Sequence, residues 1–241
     1  IAAATENLNA IEGLIGELDS ALEGIADDIN ALPEEDQKKI RDALKKGSLE
    51  DKMGKLETML ATASDPAVIK VLERLVGAMA HLISLREEMD DLRLNMPEST
   101  ESIQSWDETS QALDELIDDP YSGIKLRRFE TKYRKLRDLI RGFPVVQAKI
   151  KAIPAEGNVP FTVTLEGLDS VDPTGGTISD YKWTFLDNQG NEVSLGNSPV
   201  VIHEFMEPNT YVVRLQTSTS QRDENGYKTA VDGISTVRVK A

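Results

Sequence analysis

The chain has 241 residues and carries 42 acidic side chains against 27 basic ones, which gives a formal net charge of −15. This acidic excess disfavours binding to nucleic acid and to anionic lipid, because both need clustered Lys and Arg. The chain has no Cys and only two His, which excludes disulfides, thiolate nucleophiles and His-rich metal clusters. No apolar run approaches the roughly 20 residues that span a bilayer, so we expect no membrane insertion within this chain.

The first segment has the clearest periodicity. Its apolar residues recur at alternating steps of three and four, which is typical of a heptad seam. The pattern predicts one continuous helix that ends at Pro33 and must pack against helices of the same chain or of another. The seam consists of Ile1, Ala4, Leu8, Ile11, Ile15, Leu18, Leu22, Ile25, Ile29 and Leu32.

Further helices are predicted up to about Phe143. A short helix follows Pro33, and Ser48 with Asp51 predicts a capping box for the next. Asp65-Pro66 opens a long helix, and another begins at Ser99 or Thr100. After a turn at residues 119–123, the last helix covers 124–141. We expect residues 1–143 to form an antiparallel helical bundle or a coiled-coil rod.

Charge separates the first and last of these helices. Residues 1–36 contain ten acidic groups and no basic one, whereas residues 124–141 contain eight basic groups against two acidic ones. We therefore expect the two segments to attract one another, either within one chain or between chains in a repetitive assembly. The predicted interaction residues are Lys125, Arg128, Lys132 and Lys135 with Glu12, Asp19, Glu23 and Asp27.

The pattern changes after Gly142 and Pro144, which suit a helix end and a break. Beyond Val146, short apolar or alternating runs are separated by Gly, Pro, Asn and Asp, which predicts a β-sandwich over residues 147–241. The predicted strands cover 148–153, 161–165, 180–185, 200–205, 211–218 and 233–239.

Several motifs of this half resemble those of polycystic-kidney-disease-type (PKD) domains. They are Ala148 to Ala152, Gly157 to Leu165, Ser170 to Ile178, Tyr181 to Phe185, His203 to Phe205 and Pro208 to Leu215. The resemblance implies an Ig-like sandwich. It also implies a role as an extracellular spacer or interaction module, or as an accessory region of a secreted hydrolase. It transfers no catalytic residues.

Two aromatic residues have expected structural roles in the sandwich. Trp183 is predicted to fill the space between two sheets, and Tyr211 to bond the backbone through its hydroxyl at a strand corner. The two histidines, His81 and His203, are expected to be packed or hydrogen-bonded side chains and not general bases.

Calcium is the one metal that the sequence suggests. Asp169, Asp172 and Asp180, together with carbonyls of residues 174–176, could supply hard oxygen ligands at one end of the sandwich. The alternative is ordinary turn chemistry, in which Asp side chains accept hydrogen bonds from nearby backbone N–H groups. Apart from this site we expect no cofactor.

No HExxH, GxSxG or phosphate-loop motif is present, so we expect a non-enzymatic protein. The predicted function is that of an extracellular or cell-surface structural or interaction protein, with the helices mediating assembly and the sandwich acting as spacer or adhesive module. One alternative is a ligand-binding sensory ectodomain with a pocket lined by Trp106, Tyr121, Phe129 and Tyr133. The other is the accessory region of a secreted hydrolase.

Overall fold

The fold, described from a computed structural model, comprises helices followed by strands, and the structure describes residues 2–241. Ile1, the first residue of the predicted seam, lies outside the described residues. The chain divides into two compact units, one containing residues up to Pro97 with Glu101–Arg141, and the other containing Glu98–Thr100 with Gly142–Ala241. We call them the helical unit and the sandwich. No helix within the described range is both long and apolar enough to cross a membrane.

The helical unit contains seven helices within the described range. Four are long and three are short. Their bounds are α1 Ala2–Leu22, α2 Ile25–Asn30, α3 Glu34–Lys45, α4 Leu49–Thr62, α5 Pro66–Asn95, α6 Thr100–Asp118 and α7 Gly123–Arg141.

The predicted continuous first helix is wrong. Gly24 has φ 69° and separates α1 from α2, so the seam runs through two helices and not through one rod. This left-handed backbone conformation is one that Gly adopts without the steric cost that a Cβ imposes. The predicted starts of α4 and α5 are confirmed. Ser48 and Asp51 form the reciprocal capping box of α4, and the Asp65 carboxylate accepts from the N–H of Ala67 at the start of α5.

The core of the helical unit lies around α5. Helix α5 packs against α1 and α4, and α1 also contacts α7. The seam residues from Ala4 to Leu32 are all buried, and their counterparts on α5 include Leu72, Leu75, Met79, Leu82 and Leu85. The seam is therefore covered by helices of its own chain, and this burial stabilises helices that contain several glycines.

The sandwich consists of two antiparallel sheets. Its strands are β1 Lys151–Ile153, β2 Phe161–Glu166, β3 Ile178–Leu186, β4 Glu192–Gly196, β5 Val200–Phe205, β6 Thr210–Thr219 and β7 Gly233–Lys240. One sheet has the order β1-β2-β5 and the other β4-β3-β6-β7. The sequence patterns missed β4, because its residues are only half-buried or exposed and lack clean alternation.

Alternating side chains of the two sheets form the core of the sandwich. Trp183 is fully buried between them, as predicted, and its indole N–H donates to the carbonyl oxygen of Ser198 at 2.9 Å. The Tyr211 hydroxyl donates to the backbone carbonyl of Glu207 at 3.0 Å, which confirms the predicted corner contact. The remaining core includes Phe161, Val163, Leu165, Phe205, Val213, Leu215 and Val239.

Candidate interaction surfaces

The basic side chains of α7 face two different neighbours. Lys125, Arg128 and Lys132 point towards α6, and Arg137 and Arg141 point towards α1. On the α6 side the N···O distances are 3.4 Å from Lys125 to Asp119, 2.8 Å from Arg128 to Glu115 and 2.8 Å from Lys132 to Glu108. The order of these three pairs shows that α6 and α7 run antiparallel.

The contacts between α7 and α1 involve one acidic residue. The Glu12 carboxylate pairs with Arg137 at 2.9 Å and with Arg141 at 3.3 Å. The hydrogen bond from Arg137, followed by the charge of Arg141, lowers the pKa of the Glu12 carboxyl. One helical turn before Glu12, the backbone carbonyl of Leu8 accepts a hydrogen bond from the Tyr133 hydroxyl. The matched order of these contacts shows that α1 and α7 run parallel.

The predicted residue pairing needs correction. Arg128 and Lys132 pair with α6, and Lys125 pairs with Asp119 just after it, so none of the three pairs with the N-terminal segment. Glu12 pairs with Arg137 and Arg141, two cations outside the predicted set. Lys135 is exposed and makes no ion pair within residues 2–241, although its charge helps to lower the pKa of Glu108 after the hydrogen bond and charge of Lys132.

The missed partners on α6 could have been predicted from the sequence. Only four residues separate α6 from α7, and so short a connection makes two helices antiparallel neighbours. Helix α6 is itself acidic. The basic side chains of α7 that face it therefore pair with its carboxylates and not with those of α1.

Three of the four predicted acidic residues remain exposed without a counter-charge. The side chains of Asp19 on α1, of Glu23 just after α1 and of Asp27 on α2 make no hydrogen bond or ion pair within the described part of the chain. They follow one another at intervals of four residues, and we call them the acidic row. Their neighbour Asp28 differs, because it pairs with Arg74 at 2.5 Å.

Arg74 also holds the junction between α1 and α2. Its guanidinium donates to the backbone carbonyl of Ala21, in the last turn of α1, and to that of Glu23, just after the helix. A buried cation, Lys52, acts similarly at the end of α6. The Lys52 ammonium donates to the carbonyl oxygen of Ile117 at 2.7 Å, and burial lowers the pKa of Lys52 against the opposing charges of Asp118 and Asp119.

The four aromatic residues predicted to line a ligand pocket either belong to the helical core or pack against it. Phe129 and Tyr133 are buried in the helical core, and Trp106 and Tyr121 pack against that core. The indole N–H of Trp106 donates to the carbonyl oxygen of Met89 at 3.0 Å. A crevice of about 220 Å³ does occur in the helical unit, and none of these four aromatic residues lines it.

The predicted calcium site is also not formed. No group of three or more Asp, Glu or His side chains in residues 2–241 is placed to hold a metal. Asp180 is exposed and accepts from the hydroxyls of Ser179 and Ser218, while Asp172 is buried in its own turn. The alternative of turn chemistry therefore describes Asp172, whose carboxylate accepts from the N–H and hydroxyl of Thr174 at 2.8 and 2.7 Å.

The turn of Asp172 is packed tightly around Gly176. A Cβ at this glycine would lie 2.3 Å from Asp172 Oδ2 and 2.8 Å from Thr219 Oγ1, so no larger residue fits without a shift. Despite burial, which by itself raises the pKa of the Asp172 carboxyl, the nearby Thr219 hydroxyl and the hydrogen bonds from Thr174 lower it overall. Asp172 Oδ1 is bonded within its own turn and the buried Oδ2 has no hydrogen-bond partner in the described residues, whereas the Thr219 hydroxyl at the end of β6 donates to the Thr177 carbonyl.

The two histidines have the structural roles that were expected. His81 lies on α5, and its Nδ1 is 3.2 Å from a carboxylate oxygen of Glu17 on α1. His203 lies against the rings of Phe185 and Phe205, and burial lowers its pKa despite the nearby charge of Glu204. With Tyr211, these rings line a shallow crevice of about 370 Å³.

Most of the exposed large apolar side chains lie on the sandwich. Of twelve large, exposed apolar side chains in the described residues, Leu94 and Ile124 belong to the helical unit and the other ten to the sandwich. Strand register places Ile153 of β1 and Ile202 of β5 on either side of Thr164, so that they form one row across the outer face of the three-stranded sheet. They are 44% and 70% exposed, and with Val200 we call them the apolar patch.

Comparison with known proteins adds little to this description. No protein-family model matches the chain, and no curated protein sequence is significantly similar to it. Among solved structures, a similarity is found to one described as "Structural basis for the promiscuous specificity of the carbohydrate-binding modules from the beta-sandwich super family". It has 24% sequence identity and a TM-score of 0.31, and it covers 40% of this chain and 34% of that one.

Proposed function

We propose that the protein is a non-enzymatic structural or interaction protein of the cell exterior or cell surface. Its sandwich, a PKD-like domain in this proposal, acts as a spacer or adhesive module, and its helical unit, a bundle and not an extended rod, contributes to assembly. The observation that carries the proposal is the concentration of exposed apolar side chains on the sandwich. Exposed apolar patches rimmed by polar residues mark sites of protein association.

The geometry of the apolar patch supports a protein partner over a small molecule. Ile153, Val200 and Ile202 lie on the open outer face of a sheet, where strand residues alternate between core and solvent. The three aliphatic side chains offer apolar area, and Thr164, Glu166 and Glu204 on the same face surround them with polar groups. Such a surface suits another protein surface, whose apolar area is buried in the contact.

The helical unit supports assembly through its charges and not through its seam. Its seam is buried against its own helices, whereas the acidic row of Asp19, Glu23 and Asp27 is exposed and unneutralised. The position of the row also matters. Asp19 follows Glu12 by seven residues on the same helix, so it lies on nearly the same face that receives Arg137 and Arg141.

Two features of the PKD resemblance have structural counterparts. Trp183 occupies the centre of the sandwich and Tyr211 bonds the backbone four residues upstream, the arrangement that is expected in Ig-like sandwiches. An accessory role beside a secreted hydrolase would use the same exposed sheet face. The sensory alternative receives no support, because Phe129 and Tyr133 are core residues and Trp106 and Tyr121 pack against that core.

The proposal can be tested by bead clustering. Beads coated with the whole chain are expected to cluster, and Ile202→Asp is expected to reduce clustering because it places a charge in the centre of the apolar patch. Thr162→Asp is the matched control, since Thr162 lies on the outer face of the same sheet and outside the patch. Wild-type beads that stay dispersed at every coating density would contradict the proposal.

A further inference from the structure

The four-stranded sheet carries a group of cations on its outer face. Along β6 the odd-numbered residues from Tyr211 to Thr219 are buried, so Arg214 points outward. The register pairs Val212 with Arg238 and Thr210 with Lys240, which places both β7 cations on the same outer face. Arg214 and Arg238 are diagonal neighbours on adjacent strands, and Lys240 follows two residues on. We call these three residues the cationic stripe.

The stripe forms no ion pair of its own. Arg214, Arg238 and Lys240 are exposed and make no ion pair within residues 2–241, although Glu156 is the bridge partner of Lys240. Of the acidic residues on this face, Glu192 lies 3.9 Å from Lys182, and Asp180 accepts from two serine hydroxyls. Unneutralised cations in a chain of net charge −15 mark a surface suited to an acidic partner.

Apolar residues interleave the cations. Val212 stands directly opposite Arg238, and Ile234 lies two residues before Thr236, the residue opposite Arg214. Both are about half exposed. Arginine next to aliphatic side chains is typical of protein interfaces, in which the guanidinium stem contributes apolar contact and its fork binds carboxylates. The partner is therefore an acidic protein surface.

The acidic row has the matching properties. Its carboxylates are exposed and unpaired, and they come from the end of α1, the junction at Gly24 and α2. Along a strand, residues two apart are separated by about 6.6–6.8 Å, and diagonal neighbours by about 7–8 Å. Three exposed carboxylates can thus meet three exposed cations. Neighbouring like charges repel one another, and an external cation would offset this repulsion.

We propose that the cationic stripe of one copy binds the acidic row of a second copy. This inference rests on the self-assembly in the proposed function and names the surfaces that perform it. Helix α7 is a weaker candidate for the cationic surface, because five of its eight cations are engaged by α6, Asp119 and Glu12. The two surfaces differ, so the contact is heterologous and repeats from copy to copy into a ring or an open chain.

Complementary variants of the full chain test this contact. The stripe variant carries Arg214→Glu and Arg238→Glu, and the row variant carries Asp19→Lys and Glu23→Lys. By sedimentation velocity at low salt, the wild type should form a concentration-dependent series of oligomers, and each variant alone should be monomeric. An equimolar mixture should give a species of about twice the monomer mass and nothing larger, because each variant retains one functional surface.

Two controls accompany the mixture. Lys149→Glu with Lys151→Glu makes the same charge change on exposed sandwich residues away from the stripe, and it should assemble as the wild type does. Raising the salt to about 0.5 M should dissociate the wild type, since exposed charges are then strongly screened. Circular dichroism of each variant verifies that it remains folded.

The outcomes separate this inference from the proposed function. Wild-type oligomers that persist in either variant, or a mixture that stays monomeric while the wild type assembles, would overturn the inference and leave the proposed function in place. If the wild type is monomeric in solution and its beads still cluster through Ile202, the inference is likewise overturned and the proposed function stands. A monomeric wild type whose beads do not cluster would overturn both.

Discussion

The Tyr133 hydroxyl donates a hydrogen bond of 2.7 Å to the backbone carbonyl of Leu8, a residue 125 positions earlier in the chain. This bond joins the last helix of the helical unit to the first within its buried core. It shows where the seam of α1 finds its partners. The last helix of the same chain covers one side of α1, and α5 covers another.

Tyr133→Phe should destabilise the helical unit by about 1–2 kcal/mol, because it removes a buried donor and leaves a core carbonyl with less hydrogen bonding. Tyr121→Phe is the control, since the Tyr121 hydroxyl makes no hydrogen bond within the described residues. Urea unfolding followed by circular dichroism at the helical band measures both. Equal losses in the two variants would contradict the role of the bond.

The same pair predicts an alkaline pH dependence. Burial, followed by the charge of Glu12, raises the pKa of the Tyr133 phenol above its unfolded value of about 10. Stability from this group is therefore complete below pH of about 10 and is lost as the pH rises further, because the unfolded chain ionises first. The stability difference between wild type and Tyr133→Phe should narrow over that range. A difference that stays constant would be inconsistent with a buried, neutral phenol.

Glycine substitutions in the first helices should have opposite effects. Gly13 lies in the interior of α1 with open space around it, so Gly13→Ala should stabilise the helical unit by up to about 1 kcal/mol. Gly24 has a positive φ, so Gly24→Ala should destabilise it by about 1–2 kcal/mol. Thermal unfolding of the two variants distinguishes two helices separated at Gly24 from one continuous helix. In a continuous helix both substitutions would raise the stability of the helical unit.

Lys52→Met should destabilise the helical unit by about 1–2 kcal/mol. Methionine keeps most of the apolar stem but leaves the Ile117 carbonyl at the end of α6 without its donor. Lys55→Met is the matched control on the same helix, because Lys55 donates to the exposed carbonyl of Lys46 and should change stability by less than about 0.5 kcal/mol. Similar urea midpoints for both variants would exclude a capping role for Lys52.

Gly176→Ala should destabilise the sandwich by about 1–3 kcal/mol, because its Cβ would overlap the oxygens of Asp172 and Thr219. Thr177→Ala, at the next and exposed position, should have a much smaller effect. The fluorescence of Trp183, against the background of Trp106, reports unfolding of the sandwich. A neutral Gly176→Ala would mean that the turn relaxes easily and that Asp172 does not hold it.

The sequence predicted well those features that depend on local chemistry. The capping box at Ser48, the Asp65 cap and the buried seam follow from neighbours a few residues away. Trp183 and Tyr211 could be placed because large aromatic residues within alternating strands have few other positions available. These features need no knowledge of how the helices are arranged.

The missed features depend on arrangement in space. Composition predicted that the acidic and basic segments would pair. The short connection between α6 and α7 instead places the carboxylates of α6 next to the basic side chains of α7. The three Asp residues of the predicted calcium site are close in sequence, yet β3 and the Asp172 turn separate them. The cationic stripe is visible only after strand register brings Arg214 of β6 beside Arg238 of β7.

The central claim is that each chain covers its own seam, so that copies meet through surfaces and not by sharing helices. The most direct test is the urea midpoint of the helical unit over a wide range of protein concentrations, in about 1 M salt, where the Debye length is about 3 Å. We expect a midpoint that does not change with concentration. A midpoint that rises with concentration would show that helices of another chain complete the core, and it would contradict this account.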